Sequence, residues 1–90
     1  PLASLDPPHQ ADWLILVRKL VEQGKTVVTV LHEVTLALYA DDLLVMSNGQ
    51  IQYAGQHHEP ALHRAIEVVF EHRITIQPLS THWVALPTLS

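Results

Sequence analysis

The chain has 90 residues, 48% of them apolar, which is enough for a hydrophobic core and argues against a disordered chain. Only 16% are charged, against about 25% in an average soluble domain, although a small domain exposes proportionally more surface; part of this surface is expected to be covered by protein outside the 90 residues. The formal net charge is −4 with five Lys and Arg and no cysteine, which excludes a basic nucleic-acid footprint, a disulfide framework, a zinc–thiolate site and a cysteine nucleophile.

Asp6-Pro7-Pro8 reads as a helix start. Asp6 can accept a backbone N–H as N-cap, and proline suits a first turn whose N–H groups have no helical partner. Trp13, Leu16, Val17, Leu20 and Val21 follow at helical spacing, widened by Leu14 and Ile15, and Gly24 suits the position after the last turn. Residues 26–31 read TVVTVL. This short β-branched run without polar alternation is the pattern of a strand buried on both faces of a parallel sheet. Residues 33–40 read as a short helix, and 43–46 as a second strand. Asn48-Gly49 is a hairpin turn signal, since both residues tolerate positive φ. The return strand is 51–54, ended by Gly55. Pro60 opens another helix, with Leu62, Ala65, Ile66, Val69 and Phe70 as its stripe. Residues 73–77 and 83–86 are short strands, with Pro78, Ser80 and Thr81 between them. There is no internal repeat.

The 26–31 strand looks central, yet the later strands look like an antiparallel hairpin. A parallel sheet needs parallel neighbours, so the chain reads as one side of a larger sheet. No apolar run reaches the roughly 18 residues of a membrane span, and no signal-peptide pattern is present.

Candidate chemistry is sparse. His32 directly follows the buried strand, and ligands of open α/β sheets bind beyond the carboxyl ends of strands. An imidazole there can donate to a phosphate oxygen; from position alone, a histidine satisfied by a nearby carbonyl is the commoner case. Asp6 by itself is better read as a plain N-cap. His57, His58 and His63 invite a metal reading, but a spacing of five does not face one side of a helix. No cysteine supports them, so a solvated loop is favoured and no metal ligand is assigned. His32-Glu33 lacks the second histidine of HExxH. Asp41-Asp42 reads as a polar loop and Trp83 as packing. GxxxxGK[ST], GxGxxG and GxSxG are all absent.

The order of these segments resembles the ABC transporter ATPases. P-L-A-S-L-D at residues 1–6 resembles the end of D-E-P-T-S-x-L-D, whose last four residues are the family's D-loop. V-T-V-L-H-E at 28–33 resembles its switch-histidine strand. A-D-D-L-L-V-M-S-N-G-Q-I-Q-Y-A-G at 40–55 resembles its A-D-R-hhhh-x-x-G-x-h-x-x-x-G hairpin. Each motif is weak alone; their joint order and spacing are specific over residues 1–77.

The resemblance implies an α/β fold: the C-terminal part of a P-loop NTPase domain, with parallel strands flanked by helices plus a β-hairpin, incomplete as an independent domain. Residues 1–56 would belong to the ATPase core and 57–90 to a C-terminal helix and short strands. His32 would be the switch histidine that contacts the γ-phosphate. Asp6 would be the D-loop aspartate reaching across the dimer, with Ala3, Ser4 and Leu5 supplying D-loop backbone. ATP and Mg²⁺ would be bound by the intact protein and not by this chain alone, because the phosphate loop, the signature motif and nearly all of Walker B would lie upstream of Pro1. The implied partners are a second ATPase subunit, transmembrane permease subunits and, indirectly, a periplasmic binding protein; no nucleic acid is implied. The implied location is the cytoplasmic face of the inner membrane. Two residues depart from the pattern: Ala3 stands at the D-loop serine, and Glu33 replaces aspartate after the switch histidine. E-V-T-L-A-L-Y-A at 33–40 and H-R-A-I-E-V-V-F-E-H-R-I-T-I at 63–76 resemble the importers of iron chelates, haem and vitamin B12, with the corrinoid branch slightly ahead. The competing readings are a small non-enzymatic partner-binding module and, behind it, a histidine-rich metal-binding domain.

Overall fold

The computed structural model describes residues 7–89, with side chains from residue 9 onward. The chain divides into two units, Pro1–Glu33 and Val34–Ser90.

The first unit carries helix α1, Pro7–Glu22. Its C-terminus is a Schellman motif. Gly24 takes φ +84°, its N–H donates to the Val21 carbonyl at 2.9 Å, and the Lys25 N–H donates to that of Leu20 at 3.0 Å. These bonds satisfy carbonyls that the last turn would otherwise leave open. The expected N-cap Asp6 lies outside the described residues. The expected parallel strand at 26–31 is not formed: these residues adopt no regular secondary structure, with Val28 89% and Val30 82% exposed. The reason is physical. A strand exists only through its ladder, and the described strands pair only with one another, in two antiparallel hairpins. The β-branched composition of 26–31 states a preference that no described neighbour fulfils.

The second unit runs α2 (Val34–Ala37), β1 (Asp42–Ser47), β2 (Gln50–Gln56), α3 (Pro60–Val69), β3 (Ile74–Leu79) and β4 (His82–Pro87). The helix expected over 33–40 is one α-helical turn that continues as hydrogen-bonded turns to Ala40. Ser47 pairs with Gln50, so Asn48-Gly49 is a two-residue loop, at φ +53° and +74°. Positive φ at both positions is what a type I′ hairpin turn requires. Val45 faces Tyr53 and Met46 faces Ile51, which leaves Gln52 as the extra residue of a bulge.

In the second hairpin Leu79 pairs with His82 across Ser80-Thr81, and Pro78 lies inside β3 opposite Trp83 rather than in the loop. Pro78 is tolerated there because N–H direction alternates along a strand. The N–H of Ile76, two residues earlier, points away from β4 to Glu67. Position 78 therefore has no ladder donor to lose.

Leu38, Val45, Leu62, Ile66 and Ile76 form the core, with Leu62 fully buried; Val34, Leu43, Tyr53, Val69, Ile74 and Trp83 pack around it. At about 1.5–3 kcal/mol for each fully buried aliphatic side chain, this cluster is the main force joining both hairpins to α3.

Candidate functional site

His32 is exposed and lies at a bend between α1 and α2; no described residue hydrogen-bonds or pairs with its ring. Ala3, Ser4, Leu5 and Asp6 lie outside the described residues. Of the expected site, His32 alone falls among the described residues, where it offers a single imidazole. The sequence holds no glycine-rich phosphate loop beside it.

The second unit shows three constellations that the sequence reading missed. The first is at the end of the β1–β2 hairpin. The Tyr53 hydroxyl donates to Glu59 Oε1 at 2.7 Å, and the Gln56 N–H donates to Glu59 Oε2 at 2.7 Å. The backbone bond from Gln56 and the phenol bond hold the Glu59 carboxyl below its ordinary value. The bond to Glu59 raises the Tyr53 phenol above its own, with desolvation and the carboxylate charge adding to the shift. Gly55 makes room for both groups. A Cβ there would stand 2.7 Å from Tyr53 Cε2 and 2.9 Å from each Glu59 carboxylate oxygen.

The second constellation corrects the histidine reading. His63 is not in a solvated loop but on the buried face of α3, 8% exposed. Its Nε2 lies 2.7 Å from the His57 carbonyl oxygen, and its ring centre is 4.4 Å from that of Trp83. His57 and His58 touch edge to face at 5.3 Å. Among the described residues, no group of three His, Cys, Asp or Glu is arranged to hold a metal ion. The signal available in sequence was the place of His63 next to Leu62 on the apolar side of α3. Trp83 packs against the core, as its alternation suggested.

The third constellation ties α2 to β4. The Ala85 N–H donates to Thr35 Oγ1 at 3.0 Å, and the Tyr39 ring centre lies 4.5 Å from that of His82. Ala85 pairs with Ile76, whose own N–H donates to Glu67 Oε2 at 2.9 Å. Both outward edges of the second hairpin are thus capped at its middle by helix side chains.

Comparison with known proteins supplies what this geometry does not. The chain is 36% identical over 78 residues to the hemin import ATP-binding protein HmuV of Aliivibrio fischeri, which covers 86% of this chain and 30% of that protein. It is 31% identical over 88 residues to the petrobactin import ATP-binding protein YclP of Bacillus subtilis, 96% of this chain and 35% of the relative. It is 38% identical over 72 residues to the petrobactin import ATP-binding protein FpuC of Bacillus anthracis, 78% and 26% respectively. The chain is a homologue of the ABC importer ATP-binding proteins. It spans about a third of the length of these relatives. No family model matches the chain, and no solved structure does. As described, this homologue is a small α/β chain built on two β-hairpins. No helix among its described residues is long and apolar enough to cross a membrane.

Proposed function

We propose that this chain is the C-terminal part of the energising ATPase subunit of an ABC importer, and that the intact protein couples ATP hydrolysis to uptake of a metal chelate. The observation that carries the reading is the sequence similarity to hemin and petrobactin import ATP-binding proteins. Segments that resemble the D-loop, switch-histidine and hairpin motifs in family order support it. An iron chelate such as haem or a siderophore is favoured over vitamin B12, because hemin and petrobactin are the cargoes that these relatives' names carry.

In this reading His32 donates one hydrogen bond to the γ-phosphate and helps orient the attacking water. Electrostatic stabilisation of the transferring phosphoryl group supplies most of the catalysis in such enzymes. Mg²⁺ and the phosphate loop, both attributed to the intact protein, contribute the main positive charge. Asp6, with the backbone of Ala3, Ser4 and Leu5, would serve as the D-loop that reaches across an ATP-sandwich dimer. Ala3 lacks the serine hydroxyl of the family pattern, so one side-chain bond of that contact is lost. The subunit sits peripherally at the cytoplasmic face of the inner membrane against permease subunits and, through them, serves a periplasmic binding protein. The motif order divides the chain at residue 56, the earlier part belonging to the ATPase core. The β1–β2 hairpin shares its hydrophobic core with α3 and β3. The low charge fraction and the exposed valines at 28 and 30 are, in this reading, surface that the rest of the ATPase core covers.

The test is the coding sequence upstream of Pro1. The reading expects four apolar residues followed by Asp-Glu directly before Pro1, and GxxxxGK[ST] well before that. An upstream sequence lacking both would overturn it.

A further inference from the structure

Asn48 is the only asparagine in the sequence, and a glycine follows it. The two make up the whole loop of the first hairpin, since Ser47 pairs with Gln50 across them. Both are exposed and take positive φ, +53° and +74°. Three features bear on their chemistry. The Asn48 carboxamide makes no hydrogen bond to a described residue. Gly49 has no side chain to screen its nitrogen, and a Cβ placed there would meet nothing within 4 Å. The pair also sits at a hairpin tip, where local opening costs little.

We propose that Asn48 is a modification site, which loses its amide nitrogen through a cyclic imide formed with Gly49. The inference is independent of the transport reading. The Gly49 nitrogen gives its proton to solvent and bonds to Asn48 Cγ. The Cγ–Nδ2 bond breaks, and that nitrogen leaves as ammonia. Water then opens the five-membered ring. Cleavage at Cγ gives aspartate at position 48. Cleavage at the main-chain carbonyl carbon gives isoaspartate, whose backbone runs through Cβ and Cγ. Either product carries a new carboxylate, and water is the only co-reactant. The turn governs both rate and outcome. Ring closure requires the Asn48–Gly49 peptide to rotate out of the turn, so the reaction proceeds through the open hairpin and runs slower than in an unfolded chain. Aspartate before glycine suits the same type I′ turn, so that product keeps the hairpin. Isoaspartate lengthens the backbone of a loop whose length fixes the register. That register turns Val45 and Tyr53 toward the core.

The test incubates the intact protein at mildly alkaline pH and maps its peptides by mass spectrometry. The peptide that carries Asn48 should shift by the mass difference between a carboxamide and a carboxylic acid, and should resolve into two products of that mass. One of the two should accept a methyl group from a protein isoaspartyl methyltransferase. Conversion should be faster when the protein is unfolded in denaturant. Amide exchange over residues 43–47 and 50–54 should quicken in the isoaspartate form and stay as in the starting protein in the aspartate form. Asn48→Asp should reproduce the aspartate form and show no further shift. The proposal is overturned if the folded protein keeps Asn48 intact while the unfolded protein is converted. It is also overturned if aspartate is the sole product, because direct hydrolysis needs no ring. Equal exchange in the isoaspartate form and in Asn48→Asp would overturn the role given to the turn.

Discussion

The Tyr53 hydroxyl and the Glu59 carboxylate meet at 2.7 Å beside Gly55, where neither would fit next to a side chain. The contact locks the end of β2 to the start of α3, because Glu59 also accepts the Gln56 N–H. Glu59 occupies the N-cap position of α3, yet its carboxylate makes no cap bond to the helix. It turns back to the hairpin instead.

Gly55→Ala should therefore destabilise the second unit. The new methyl would stand 2.7 Å from Tyr53 Cε2, so Tyr53 or Glu59 must move and their bond must break or bend. Overpacking of this kind typically costs about 1–3 kcal/mol. Chemical denaturation of wild type and variant checks it, with the loss expected to shrink in a Tyr53→Ala background, which removes the crowded ring. An unchanged midpoint would mean that the pair is not held in this geometry.

The same pair predicts a pH dependence. The Glu59 carboxyl lies below its unfolded value of about 4.3. Its contribution is therefore complete above that value and is lost as pH falls through the lowered folded value. The Tyr53 phenol lies above its unfolded value of about 10, so its contribution is lost as pH rises past 10 through the raised folded value. Thermal melts of wild type and Glu59→Gln should differ between these limits and converge in acid. A difference that stays constant from neutral pH into strong acid would show that the carboxylate charge is not responsible.

The turn after α3 carries strain that glycine would relieve. Glu71 and His72 sit at φ +57° and +59°, with the His72 N–H donating to the Glu67 carbonyl and the Glu71 N–H to that of Val68. This is a second Schellman motif, in which the position after the cap normally favours glycine. A non-glycine residue in this region costs about 1–2 kcal/mol. Glycine costs about 0.5–1 kcal/mol through the unfolded chain, so Glu71→Gly should stabilise by up to about 1 kcal/mol. The exposed 4.0 Å pair of Glu71 with Arg73 offers little to lose. A lower midpoint in denaturant would contradict this account.

The elements legible in the sequence were those set by near neighbours. Asn48-Gly49 fixes its hairpin because the turn needs only two residues at positive φ, and Gly24 ends α1 for the same local reason. The helical stripe of α3 held because Leu62 and Ile66 repeat at the helical period and face one core. The segment 26–31 failed as a strand because β-branched composition specifies a preference and not a partner. The place of Pro78 inside β3 is not legible locally, because its harmlessness depends on which way its missing N–H would have pointed. His63 was misread because the spacing to His57 and His58 says nothing of Trp83, twenty residues further along the chain. At the candidate site, His32 stood out by its place after an apolar run and by the motif order around it. The ties from α2 to β4 join residues fifty apart, which no local pattern encodes.

Turnover and nucleotide affinity of His32→Ala in the intact ATPase test the switch assignment most directly. Removing one donor aimed at a developing charge costs about 10²–10³-fold in kcat, while ATP affinity should change by less than about threefold because the phosphate loop supplies most of the binding. Wild-type turnover, or a parallel loss of turnover and affinity, would contradict the account.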